Sequence, residues 1–147
     1  MKKCVWALAS LALVTIAAAP PGRAAHRCAL SSTAEAEQAI RYLTDLMVAS
    51  SACRNTVYAE FALRNRVQII RYQRAMIRHL HGTGAFDRWD TTLANEAAER
   101  QATVPPAQFC RAAQPLLQQA AALDASGFRA YASARAASAD PSPRCRR

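Results

Sequence analysis

Lysine is nearly absent from this 147-residue chain: Lys2 and Lys3 are the only two, and every later basic residue is arginine. Glycine is scarce as well, at four, and aromatic residues make up 7%. Sheet-rich domains draw on β-branched and aromatic residues, so this poverty, set against abundant alanine, argues against a β architecture and predicts an all-α fold. Also missing are a glycine-rich phosphate loop, a Gly-x-Ser-x-Gly elbow, a His-Glu-x-x-His pair and a Cys-x-x-Cys-His haem attachment. No catalytic signature and no cofactor is expected from what remains.

Residues 1–25 read as a signal peptide. Lys2 and Lys3 form the positive start, Val5 to Ala18 an apolar run, and Ala19 to Ala25 a small-residue exit within which the cleavage point stays open. The run is short for a permanent anchor, since a spanning helix needs roughly 20 apolar residues. A soluble exported protein, periplasmic or secreted, is therefore expected, with an uncleaved anchor as the alternative. Loss of the leader removes Lys2, Lys3 and Arg23, leaving a net charge of about +6 carried by arginine alone. Guanidinium forks suit carboxylate and phosphate. Arginine and alanine also rise together in GC-rich genomes, and we take that as the simpler source of the bias.

Cys4 leaves with the leader, so Cys28, Cys53, Cys110 and Cys145 remain for an oxidising compartment, where disulfides are the default. Cys53 and Cys110 have apolar, helical neighbours, whereas Cys28 and Cys145 lie in opposite tails. Pairing like with like gives Cys53–Cys110 as a core staple and Cys28–Cys145 as a terminal tie. The first closes a loop of about 57 residues, worth roughly 4 kcal/mol by chain entropy. No two of these cysteines have the close spacing of a structural zinc site.

Hydrophobic periodicity predicts a compact, disulfide-stapled bundle of four main helices plus a short C-terminal helix over residues 26–138, followed by a flexible basic tail at 139–147. The first helix runs from about Thr33 to Ser50, opened by a Ser32–Glu35 capping box, with Ala36, Ile40, Leu43 and Met47 on one face. The second runs from about Thr56 to His81 and stops at Gly82, the residue best able to turn left-handed. Tyr58, Phe61, Ile69, Tyr72 and Met76 form its main apolar face, while Leu63, Ile70 and Ile77 form a thinner stripe. Two apolar surfaces on one helix place it at the centre of the bundle. A third helix carries Phe86, Trp89, Leu93 and Ala97; a fourth starts near Pro106, with Pro115 expected to kink or split it. Asp124 to Gly127 reads as a turn before a short last helix, Phe128 to Ala136.

Several of these features coincide in one pattern: a cysteine after the first helix, Tyr58 and Phe61 opening a long helix, the His81-Gly82 turn, Thr92-Leu93-Ala94-Asn95, and Phe109-Cys110. The pattern resembles a group of small exported bacterial helical proteins that has no assigned activity. The resemblance spans most of the mature chain and implies a helical fold but no catalytic residue.

Arg64, Arg71, Arg74 and Arg78, with Arg66 beside them, form a ridge along the second helix. Such a ridge can meet an anionic envelope component or an acidic protein; an exported address argues against nucleic acid. A solvated face is the plainer account of the same residues. His79 and His81 are weak metal candidates, because two residues apart on a helix they point to nearly opposite sides. Asp87, Asp90 and Glu96 supply carboxylates beside Trp89, the ingredients of a small hydrolase acting on envelope glycans. They are equally what the start and exposed face of a helix favour. A small-ligand carrier is the third possibility. Asn95 is the mid-helix polar residue for which a structural hydrogen bond is expected. The favoured expectation is a non-enzymatic structural or interaction module.

Overall fold

The computed structural model describes residues 21–139, with side chains from Ser32 onward. Six helices account for nearly all of it: α1 (Pro21–Ala52), α2 (Val57–Arg64), α3 (Arg66–His79), α4 (Thr83–Ala102), α5 (Pro106–Ala122) and α6 (Ala125–Ala139). There is no strand among the described residues, so the all-α expectation holds, as does the staple: Cys53 and Cys110 are bonded, with their Cα atoms 5.6 Å apart. The bridge ties the end of α1 to the first turns of α5. The second pairing rests on the Cys28 side chain and on Cys145, neither of which is described, and residues 1–20 and the tail beyond Ala139 lie outside the described residues.

The centre of the bundle is α1, and not the helix over 56–81. All five other helices pack against α1. It is buried on more than one side: Ala36, Ala39, Ile40, Leu43, Leu46 and Ala49 are all in the core, and so is Tyr42. Small alanines let neighbouring helices approach closely, which is how one helix can be surrounded. Met47, expected inside, is 38% exposed. The helix also begins at Pro21, well before the expected capping box. Glu35, lying within the helix, is free to reach sideways, and its Oε1 accepts the Tyr72 hydroxyl at 2.8 Å.

Five of the ten aromatic residues meet in one cluster. Phe128 of α6 stands at its middle, with ring centroids 5.0 Å from Phe61, 5.5 Å from Tyr72 and 5.9 Å from Tyr42, while Tyr131 lies 4.6 Å from Tyr42. Edge-on and tilted geometries suit the ring quadrupoles. Burial raises the hydroxyl pKa of Tyr42, and burial followed by the Glu35 hydrogen bond raises that of Tyr72. The segment read as a turn and short helix is therefore a 15-residue element supplying the heart of the core. Asp124 opens it, its Oδ1 accepting the Gly127 N–H at 2.8 Å. That contact is an N-cap.

Helix ends explain the remaining departures. α1 closes with the Asn55 N–H on Ser50 O and the Arg54 N–H on Ser51 O. α3 closes alike, with the Gly82 N–H on Ile77 O and the His81 N–H on Arg78 O. These crossed pairs are Schellman closures, in which the residue after the cap turns left-handed. That residue is Arg54 (φ 52°) in one and His81 (φ 60°) in the other, so Gly82 does not hold the position expected of it. Pro115 does not split α5, which runs unbroken through it. It sits on the exposed side, where the carbonyl it leaves unpaired can face water.

Candidate anion-binding face

The helix expected over 56–81 is interrupted at Asn65, which is 1% exposed and has φ −105° and ψ 11°. Its Nδ2 donates to Phe61 O at 3.1 Å and to Leu123 O at 3.3 Å, so the amide ties the α2–α3 joint to the α5–α6 junction. Arg64 reinforces the same junction: its Nη2 donates to Ala120 O at 3.0 Å and Ala121 O at 3.2 Å, the free carbonyls at the end of α5. Arg64 is thereby engaged in holding the fold. Asn95, the asparagine expected to carry such a role, is exposed and makes no side-chain hydrogen bond among the described residues.

Beyond the bend, α3 turns Gln68, Tyr72 and Met76 inward. At roughly 100° per residue the opposite side carries Val67, Ile70, Arg71, Arg74 and Arg78. These five line one open surface depression of about 500 Å³. Arg71, Arg74 and Arg78 are exposed, and none has an ion-pair partner among the described residues; Arg71 reaches only the Gln68 amide, at 3.3 Å. No acidic residue occurs between Glu60 and Asp87.

The thin apolar stripe is divided, with Ile70 and Ile77 partly buried and Leu63 left in water. Leu63 is 77% exposed and Val67 74%, whereas Ile77 is partly buried against the core. Counting by sevens from Leu63 passed over Val67. The signal that finds it is the i+4, i+3, i+4 series Leu63, Val67, Ile70, Arg74, which marks one helix face. What emerges is a mixed face, with Val67 and Ile70 towards the start of α3 and Arg71, Arg74 and Arg78 towards its end.

The other candidates are placed apart. His79 ends α3 and His81 lies past it in the left-handed turn, both exposed, and no cluster of three or more metal-binding side chains occurs among the described residues. Asp90 is half-buried, and burial, then the charge of Asp87, raises its carboxyl pKa. The cleft it lines holds about 80 Å³, far below the roughly 300 Å³ at which small-molecule sites begin. Glu96 lines a different depression with Arg41 and Arg100. A larger groove of about 280 Å³ lies among α1, α4 and α5, walled by Val48, Ala97, Phe109 and Leu116. The Asp45–Arg100 ion pair, 2.8 Å long, stands at its edge.

No protein-family model, curated protein or solved structure matches this chain.

Proposed function

We propose that this is an exported, non-enzymatic helical interaction module that engages an anionic component of the cell envelope through the outward face of α3. The observation that carries the reading is the mixed face itself: three exposed arginines without counter-ions share a depression with Val67, 74% exposed, and Leu63, 77% exposed, precedes it across the break at Asn65. Charge of one sign concentrated on one helix raises the local concentration of an opposite partner and speeds encounter. The export part of the reading rests on the leader-like first 25 residues and is supported by the Cys53–Cys110 bridge, since disulfides persist in oxidising compartments.

The test is retention on heparin at low salt, with elution followed as salt rises. The protein should be retained, and replacing Arg71, Arg74 and Arg78 together by Ala should move elution to clearly lower salt with the far-ultraviolet circular dichroism unchanged. Equal elution of the two proteins would remove the reading. Arg64 is left out of the triple variant because its loss would free the end of α5.

A further inference from the structure

Building on that reading of α3, we infer that the partner is the surface of an anionic lipid bilayer, on which the protein lies with Leu63 and Val67 entering the headgroup region and Arg71, Arg74 and Arg78 on phosphate. A bilayer interface offers both chemistries at once, an apolar boundary a few ångströms below a layer of anionic groups. A dissolved polyanion or an acidic protein loop would satisfy the guanidinium groups and leave Leu63 and Val67 in water. The described residues fit a surface and not a span: no described helix is long and apolar enough to cross a membrane.

The arrangement along the axis supports contact over a length. Within α3, Val67 to Arg78 covers about 16 Å at 1.5 Å per residue, with no carboxylate inside it to oppose a phosphate layer. The bend at Asn65 falls between Leu63 and Val67, so the most exposed apolar pair brackets the junction where α2 and α3 meet. A second copy of this chain is a poor occupant, because two such faces would set arginine against arginine. Ile70 and Ile77 stay partly buried, so the apolar surface offered to the partner is that of Leu63 and Val67.

The full chain is expressed, and its exported form, with the Cys53–Cys110 bridge closed, is sedimented with vesicles of phosphatidylcholine alone or mixed equally with phosphatidylglycerol, alongside heparin chromatography. Binding is expected to the mixed vesicles and not to phosphatidylcholine alone. Replacing both Leu63 and Val67 by Ser should weaken vesicle binding about 10-fold or more, by loss of two inserted apolar side chains, while heparin elution stays where it was. The Arg71, Arg74 and Arg78 triple alanine variant should weaken vesicle binding roughly 100-fold, each cation near an anionic surface giving about a factor of five, and should lose heparin retention too. Exposed positions make both variants safe for folding, and circular dichroism checks it. Vesicle binding unchanged by the Leu63 and Val67 substitutions, or absent from the parent protein that heparin still retains, overturns the bilayer as partner and leaves an anion-binding face. Absence of both kinds of binding overturns the face itself.

Discussion

Replacing Asn65 by Asp changes one nitrogen to oxygen and should be the most damaging isosteric substitution in the molecule. The amide Nδ2 faces two carbonyl oxygens, Phe61 O at 3.1 Å and Leu123 O at 3.3 Å, from a residue that is 1% exposed. Two lost hydrogen bonds at about 0.5–1.5 kcal/mol each cost about 1–3 kcal/mol. Alanine at this site bears that loss but also removes the buried Oδ1, which has no hydrogen-bond partner, and gains helix propensity, so its net cost should be about 1–2 kcal/mol. Asp adds a repulsion: a carboxylate oxygen takes the place of the donor against both carbonyls. The total should reach about 3–5 kcal/mol near neutral pH, the range for an uncompensated buried charge.

The pH dependence separates electrostatics from packing. Desolvation and the two carbonyls favour the protonated acid in the folded state, raising its pKa above the unfolded value of about 3.9. The folded state then holds more protons than the unfolded state, so stability falls as pH rises, by at most about 1.4 kcal/mol per unit. Urea unfolding of the parent and both variants at several pH values between about 4 and 7.5 reads this directly. The Asp variant should approach the Ala variant at the acid end and fall below it at the neutral end. An Asp variant as stable as Ala at neutral pH, or one that gains on Ala as pH rises, would refute the account of Asn65 as a donor-only clasp.

Other perturbations probe separate parts of the fold. Replacing Cys53 and Cys110 by Ala opens a bridge between residues 57 apart in sequence and should cost about 4 kcal/mol by chain entropy, a melting-temperature fall of roughly 15 °C by calorimetry; a fall under about 3 °C would contradict the staple. Arg54 and His81 both hold left-handed backbone, so Arg54→Gly and His81→Gly should each stabilise by about 1 kcal/mol in urea titrations, in contrast to the usual penalty for glycine. Asp90 has a raised pKa, from burial and then from Asp87, so its ionisation opposes folding. Its contribution is intact below the unfolded carboxylate pKa and is lost as pH rises through the folded one; Asp90→Asn should therefore gain on the parent across that window and hold its advantage above it, and a pH-independent difference would contradict this.

Much of the fold was legible because it rests on side-chain contrast. The Cys53–Cys110 pairing followed from apolar helical neighbours, and Phe86, Leu93 and Ala97 follow a helical spacing that needs no tertiary information. Three features were hidden, each for its own reason. α6 is so rich in alanine that its faces hardly differ, and only packing reveals Phe128 at the middle of the aromatic cluster. α1 as the hub was obscured because Ala36, Ala39 and Ala49 read as neutral, although small residues are what a surrounded helix needs. The bend at Asn65 depends on Leu123, distant in sequence, and no local pattern distinguishes this asparagine from Asn95. The arginine ridge was visible, but of its apolar companion only Ile70 and Ile77 are drawn towards the bundle and Leu63 stays in water.

That misassignment bears on function through an economy of burial. Had the helix expected over 56–81 been the hub, Leu63 would have been core with Ile70 and Ile77, and the arginines would have remained at the surface. With α1 surrounded instead, α3 needs to bury one side, and Gln68, Tyr72 and Met76 suffice for it. Nothing in the folded chain then requires apolar side chains at 63 and 67, where a polar residue would be cheaper to keep in water. Single exposed apolar residues are ordinary on protein surfaces. Two of them four residues apart, each about three-quarters exposed, with Val67 beside three arginines without counter-ions, support the proposed partner that would remove them from water. Stability should therefore be insensitive to Leu63→Ser and Val67→Ser, within about 0.5 kcal/mol as for ordinary surface positions. A loss of 2 kcal/mol or more on urea unfolding would return both side chains to the core and take the binding face with them.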